Sequence, residues 1–532
     1  MFTSGKARLL SILLFSASAA TSSHAQDMSE YIRSAASKSG SGISNWYKAR
    51  GNAGVWDGPR LGGLAQFIQA LDQHGLSPEL YKFSTWDQRW RSPSTDPTER
   101  AAVEVGTTQL ALYAIQSLAY GFVDPSDVHT KWKEIPRKVS SYQFLEQALQ
   151  QPPSQFAAFL LQTVPPQDKR YAEMVKSLAH YRKLDSLGGW RALPATPTPA
   201  GPGSKYAELN LLRSRLQAEG DLPSFSGKNR DSTIDNRTGE AIKSFQFRHG
   251  IEPDGFMGEQ TLVELNTPTR TRVNQLIINI DRLRWMPRTW EQSEHIEVNI
   301  AESALRLFRN QKQVTVMQVI VGVKGKHQTP IFHGDVRYLV FRPYWNIPVS
   351  IARTELVPKA LQNPAGYMAE HGYQIVPSYG ASDSQVLANS ASNLQKCASG
   401  GLLMRQTAGP DNSLGLVKFI FPNDSSVYLH DTPDHSLFQR ADRDFSHGCV
   451  RVSRPDELAT ILLQRAGGNW DINSVRQSMQ DVNVPNRKED FPVPMPVYLI
   501  YWTATIMNDD RVRFDQDIYG HDQVMYQKFG IQ

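Results

Sequence analysis

Near the C-terminal end of this 532-residue chain, Ser446-His447-Gly448-Cys449-Val450-Arg451 gathers groups that could do chemistry. It holds one of only two cysteines. A thiol becomes a nucleophile as its thiolate, so it needs a base, and that base usually comes from a separate element. His430, in Tyr428-Leu429-His430-Asp431-Thr432-Pro433 at the end of a strand-like run, is the candidate base. Gly448 allows close backbone approach to whatever the thiol attacks. Arg451 offers a fixed charge for a carboxylate. The backbone N–H groups of Gly448 and Cys449 are candidate oxyanion donors.

Other readings of the same residues stay open. A buried cysteine is commonly an inert small hydrophobe. His430, His435, His447 and Cys449 could supply metal ligands, but their spacings match no usual zinc pair and no second cysteine lies within four residues. Cys397 and Cys449 could pair in an oxidising compartment, but that bridge would consume the proposed nucleophile.

The arrangement of His430 ahead of Ser446-His447-Gly448-Cys449-Val450-Arg451 resembles the signature of L,D-transpeptidases, which remodel peptidoglycan through a cysteine. The resemblance implies Cys449 as nucleophile and His430 as general base and acid. Ser446, His447 and Gly448 would position the loop, and Arg451, Tyr428 and Trp345 would meet substrate. It implies no cofactor and no metal. Peptidoglycan tetrapeptide stems would be the partners, other cell-wall synthesis proteins further ones, and a carbapenem a covalent inhibitor. The expected activity is 3→3 cross-linking through a thioester. An L,D-carboxypeptidase, a lipoprotein-anchoring transpeptidase and a non-catalytic wall-binding scaffold are the alternatives.

These residues need elements to hold them. Ile296, Val298 and Ile300, then Val314, Val316, Val319 and Val321, alternate around Asn310-Gln311 and predict a hairpin. Residues 417–421 and 427–430 predict a second hairpin that ends on His430. Ser453-Arg454-Pro455-Asp456 reads as a capping signature for a helix over 454–465. Residues 498–514 predict two strands joined by Asn508-Asp509-Asp510, and Thr329-Pro330 begins a turn. Residues 343–409 do not fit a small β-domain. They read as an insertion, helical over 351–362 and polar and turn-rich over 378–399, and the resemblance to the large Gram-negative type of L,D-transpeptidase implies that it caps the cleft.

Upstream the period is helical. Leu61, Leu64, Ala65, Ile68 and Leu71 share one face, and Leu71-Asp72-Gln73-His74-Gly75-Leu76 is similar to the scaffold of the large Gram-negative type of L,D-transpeptidase. Phe245-Gln246, followed by Asp254-Gly255, Gly258, Thr261-Leu262 and Leu265-Asn266, resembles the small three-helix peptidoglycan-binding domain. The expected class is multidomain α+β. A signal peptide (1–25) precedes a helical scaffold (26–192), a linker (193–204), a peptidoglycan-binding domain (205–268), a connecting helix (269–292) and a β-rich L,D-transpeptidase catalytic domain (293–532).

Composition is that of a globular protein, with a net charge of +5. That is too weakly basic to argue for nucleic acid. Lys6 and Arg8, the apolar run 9–20 and Ser23-His24-Ala25 read as a secretory leader, whose removal would leave a charge of +3. No later apolar run is long enough to span a bilayer. The expected location is the periplasm.

Overall fold

The computed structural model describes residues 28–132, 139–223, 232–288 and 290–531. The leader expected over residues 1–25 lies outside the described residues. Among the described residues, no helix is long and apolar enough to cross a membrane.

The N-terminal part is helical because apolar residues recur every three or four positions and side chains close the helix starts. Asp57 caps the helix Gly58–Ala70, Asp96 caps α1 (Pro97–Tyr120) and Asp168 caps α2 (Lys169–Ser186). Three shorter helices follow, Leu209–Ala218, Asn236–Arg248 and Glu259–Leu265, around a separate core that includes Leu212, Leu216, Ile242 and Phe245. Gln246 explains its own motif. Its amide donates to Asp254 Oδ1 at 2.7 Å, while Gly255 N–H donates to Gln246 Oε1 at 2.8 Å, fixing the turn. Residues 193–204 are largely exposed yet pinned. Leu193 exchanges hydrogen bonds with Asn266, and Gly203 N–H donates to Ile234 O.

The helix α3 (Thr269–Arg284) is buried on every side, although it carries Asn274, Gln275, Asn279, Asp281, Arg282 and Arg284. Buried polar groups must be paired, and here their partners lie on other units. Asp281 accepts the backbone N–H groups of Phe122 and Val123 at 2.8 and 3.0 Å and pairs with Arg284 at 2.9 Å. Arg284 also donates to His74 O at 2.6 Å. Asn279 exchanges two hydrogen bonds with Thr503, Arg282 pairs with Asp522 at 2.6 Å, and Arg272 pairs with Glu264. Thus α3 joins the helical region, the three-helix unit and the C-terminal tail.

The β-rich part contains β1 (His295–Asn299), β2 (Ala304–Arg309), β3 (Lys312–Gly322) and β4 (Phe332–Phe341), then β5 (Trp345–Ile347), β6 (Tyr373–Val376) and β7 (Leu403–Gln406). β8 (Val417–Ile420), β9 (Leu429–His430), β10 (Asp444–Ser446) and β11 (Val450–Val452) carry the candidate site, and β12 (Arg487–Ile500), β13 (Ala504–Ile506) and β14 (Val512–Phe514) finish the fold. The large sheet runs β10-β3-β11-β9-β8-β4-β12-β1-β2, and β2 returns to pair with β3, so the sheet closes on itself.

The first expected hairpin is a three-stranded meander instead. β2, not anticipated, pairs with both β1 and β3. Asn310 and Gln311, with φ of 50° and 64°, form the tight turn from β2 to β3. The expected side-chain cap on α4 (Pro455–Arg465) is absent. Arg454 occupies the N-cap and makes no capping hydrogen bond, and Pro455 with acidic Asp456 and Glu457 opens the helix instead.

The insertion has its own architecture. β5, β7 and β6 form a small sheet. Helical turns cover 349–360, and Ala391–Ser399 is a helix within the stretch expected to be turn-rich. Ile347, Leu356, Ile375, Leu394, Cys397 and Met404 belong to a core separate from that of the large sheet. Phe341 on β4 pairs with Val417 on β8, so the insertion leaves and rejoins the sheet at one register.

Two predictions follow from this packing. Asp281→Ala would leave Arg284 buried without its carboxylate and two backbone N–H groups without an acceptor. It should cost about 3–5 kcal/mol, read as a lowered midpoint in urea unfolding. A shift within error would show that α3 is not a structural tie. Replacing residues 343–415 by an Asn-Gly turn should keep the cooperative thermal transition of the large sheet, and loss of cooperativity would place the insertion in the common core.

Candidate active site

Strand pairing brings the candidate residues together. β9 and β11 run parallel with Leu429 opposite Val450 and His430 opposite Arg451. Side chains alternate along a strand, so Tyr428, His430, Cys449 and Arg451 share one face. β8 continues that face, with Lys418 opposite His430.

The loop between β10 and β11 is held from within and from outside. Ser446 Oγ donates to Cys449 O at 2.5 Å and accepts Gly448 N–H at 3.0 Å. Gly448 has φ +107°, a conformation that favours glycine. Thr329, at the Thr-Pro turn, donates to Gly448 O at 3.0 Å and accepts Gly322 N–H at 2.8 Å. Gly322 is needed there, because a Cβ would meet His327 O at 1.9 Å. Tyr519 completes the brace, accepting Thr329 N–H at 3.2 Å and donating to Gly322 O. The expected pair of oxyanion donors is therefore corrected. Gly448 N–H is spent on Ser446 Oγ, and among the described residues no hydrogen bond takes Cys449 N–H.

The two cysteines are free thiols. Cys397 is buried in the insertion's core, where desolvation pushes its thiol up to about 11. Cys449 Sγ lies 3.8 Å from Ser426 O, and both the backbone N–H and the phenol of Tyr428 hydrogen-bond it. Desolvation still dominates and pushes this thiol up to about 11, with the Tyr428 bonds and the Arg451 charge opposing. His430 Nδ1 donates to Asp431 O at 2.5 Å, which leaves Nε2 with its lone pair. Burial first, then the Arg451 charge, pushes His430 down to about 3, so the imidazole is neutral at physiological pH. The resting pair is thus thiol plus neutral imidazole, not thiolate plus imidazolium.

Arg451 has a buried Nε with no hydrogen-bond partner among the described residues, and Asp434 is the acid whose charge reaches it. Trp345, on β5, is half-buried and packs against the insertion's own core. His447 points to the insertion, with Nε2 2.8 Å from Glu355 Oε1 and its ring 4.6 Å from that of His327. His327, Glu355 and His447 have ligand atoms within 4.8 Å of one another. The four residues weighed from sequence as metal ligands are not gathered, since His430 Nδ1 is taken and His435 faces Asp431 at 3.3 Å. Lys418, Glu355, His327 and Tyr519 were missed from sequence. They come from distant segments, and only the Thr-Pro turn at 329 carried a local signal.

Residues 293–466 match the family model of the L,D-transpeptidase catalytic domain, 41–178 that of a scaffold domain and 205–265 that of a peptidoglycan binding domain. A curated Haemophilus influenzae protein named "Putative L,D-transpeptidase" is 35% identical over 285 residues, which cover 52% of this chain and 55% of that protein. The chain therefore spans about half the length of this relative. Two solved structures of L,D-transpeptidases also align. The one from Xylanimonas cellulosilytica is 16% identical, with 58% of this chain and 100% of that chain covered at a TM-score of 0.18. The one from Stackebrandtia nassauensis is 12% identical, with 58% and 96% covered at a TM-score of 0.20. At such scores neither carries an argument here.

The electrostatics make a test. Alkylation of Cys449 by iodoacetamide should climb by about tenfold per pH unit between 7 and 10, because the thiolate alone reacts. A plateau reached below pH 7 would indicate a preformed ion pair. Tyr428→Phe removes a bond to the thiolate and should slow the reaction at every pH in that range.

Proposed function

We propose that the chain is a member of the L,D-transpeptidase family and that it cross-links peptidoglycan through a thioester on Cys449. The observation that carries this reading is the shared face of β9 and β11, where a thiol, a neutral buried imidazole and an unpaired guanidinium sit together. The donor is a tetrapeptide stem. As Cys449 Sγ attacks the carbonyl between the third residue and terminal D-Ala, its proton passes to His430 Nε2. The C–N bond breaks, His430 returns the proton to the leaving amine, and D-Ala departs. The side-chain amine of a second stem then attacks the thioester, His430 takes the amine's proton, the C–S bond breaks, and His430 returns that proton to the departing sulfur. The product is a 3→3 cross-link.

Each residue has a role in this scheme. Asp431 O fixes the His430 tautomer. Tyr428 OH steadies negative charge on sulfur. Cys449 N–H is the donor facing the developing oxyanion. Arg451 meets a stem carboxylate. Attack from a protonated thiol suits a neutral base, since proton transfer and bond formation can proceed together. The insertion, latched by Glu355 to His447, excludes water and favours an amine acceptor over hydrolysis. The site of action is the cell-wall compartment, reached by export.

Incubation with disaccharide tetrapeptide, read by tandem mass spectrometry, tests the reading. Dimers joined 3→3 should outnumber tripeptide, and Cys449→Ala should lose at least roughly a thousandfold in rate. A carbapenem should add one acyl mass at Cys449. Mainly tripeptide would indicate a carboxypeptidase, product only with an added lipoprotein lysine an anchoring enzyme, and undiminished turnover by the alanine variant would overturn the mechanism.

A further inference from the structure

The latch between Glu355 and His447 has a third member that the mechanism above leaves unused, His327. The three come from segments far apart in sequence. His327 lies between β3 and β4, Glu355 in the insertion, and His447 in the loop between β10 and β11. Their ligand atoms lie within 4.8 Å of one another. His447 Nε2 is 2.8 Å from Glu355 Oε1, and its ring centre is 4.6 Å from that of His327. A hydrogen bond accounts for the first contact. It does not account for the second imidazole, whose ring nitrogens have no hydrogen-bond partner among the described residues.

Each residue is aimed by its own backbone. His327 O packs against Gly322, where a Cβ would meet it at 1.9 Å, so the Thr329 turn that braces the cysteine loop also places His327. Glu355 sits in a π-helical turn, Ala352–Leu356. Pro358 has no N–H for Thr354 O, which favours that wider turn, and such turns gather at functional sites. The side chains of His447 and Glu355 are 43% and 38% exposed, so an ion can reach them from solvent.

We propose that His327, Glu355 and His447 bind a divalent transition ion of the zinc class, which ties the insertion to the loop that carries Cys449. Two imidazoles and a carboxylate are a donor set that zinc takes, with a fourth position left for water. Magnesium and calcium prefer shells of oxygen alone. Tetrahedral ligand atoms around zinc stand roughly 3.3 Å apart, which rotation of these side chains reaches from the observed spacing. His447 gives the ion its Nε2 lone pair, and the neutral ring keeps its proton on Nδ1. The ion thus turns one hydrogen bond into a three-armed tie. The site stands independently of the reaction assigned to Cys449.

Zinc chloride titrated into the full chain, stripped with chelator and kept reduced, tests this by calorimetry. Wild type and Cys449→Ala should each bind one Zn²⁺ with the same affinity, and magnesium chloride should give no binding. His327→Gln and Glu355→Gln should each weaken zinc binding at least about tenfold, with thermal midpoints in chelator unchanged. Hydrogen exchange supplies a second readout. Zinc should slow the amides of residues 349–360 in wild type and leave them unaffected in His327→Gln. Absence of zinc binding to wild type below about 1 mM, or unweakened binding by the His327 and Glu355 variants, would overturn the site. Loss of binding in Cys449→Ala would overturn it too, moving the ion to the thiol. Equal binding of magnesium would overturn the zinc assignment, and zinc binding without slowed exchange would overturn the tie.

Discussion

The buried polar helix α3 constrains everything else. An amphipathic connector could let the units on either side drift, because apolar packing has no direction. Asp281, Asn279, Arg282 and Arg284 instead need specific partners at specific places, and these lie near residues 74, 122, 503 and 522. Each pair is individually of uncertain net worth, but losing one partner is expensive. Position, more than raw stability, is what such a network secures. The three-helix unit reinforces it, since Arg248 pairs with Asp221 and also donates to Val512 O in the tail.

The candidate site inherits this rigidity through the tail. Tyr519, a few residues from the tie at Asp522, holds the Thr329 turn, and that turn holds the cysteine loop. The Cys449 loop is therefore fixed by segments far apart in sequence, and strand register does the remaining work. Because β9 and β11 are parallel and in step, His430 and Arg451 are neighbours by geometry. The same register sets Lys418 beside His430, and the Arg451 and Lys418 charges add to the burial that chiefly keeps the imidazole neutral.

The sequence showed what is local. Ser446 to Arg451 hold their loop by bonds among themselves, so the pattern is visible in six letters. Gln246 and Asp254-Gly255 could be read for the same reason, since the side chain binds the turn it precedes. β2 escaped notice because it is short, and Arg306 and Arg309 interrupt its apolar residues Ala304, Leu305, Leu307 and Phe308. α3 looked like a helix with one apolar side, as Leu276, Ile280 and Leu283 suggest. Its other faces are buried by partners far along the chain, which no periodicity reports. The capping signature at Ser453 misled because a good capping residue one place too early makes no bond. Nothing in the sequence reveals that the insertion has a core of its own, against which Trp345 packs.

The desolvated thiol has a meaning beyond turnover. Peroxides and small disulfides attack cysteines in proportion to their thiolate character and exposure. Cys449 is only partly exposed and is held protonated beside an uncharged imidazole. Such a residue ages slowly toward sulfenic acid, because little of it is thiolate at neutral pH. The other thiol, Cys397, is sealed in a separate core, so the partner for a damaging bridge is out of reach. Reluctance to ionise at rest is, in this protein, a form of shelf life.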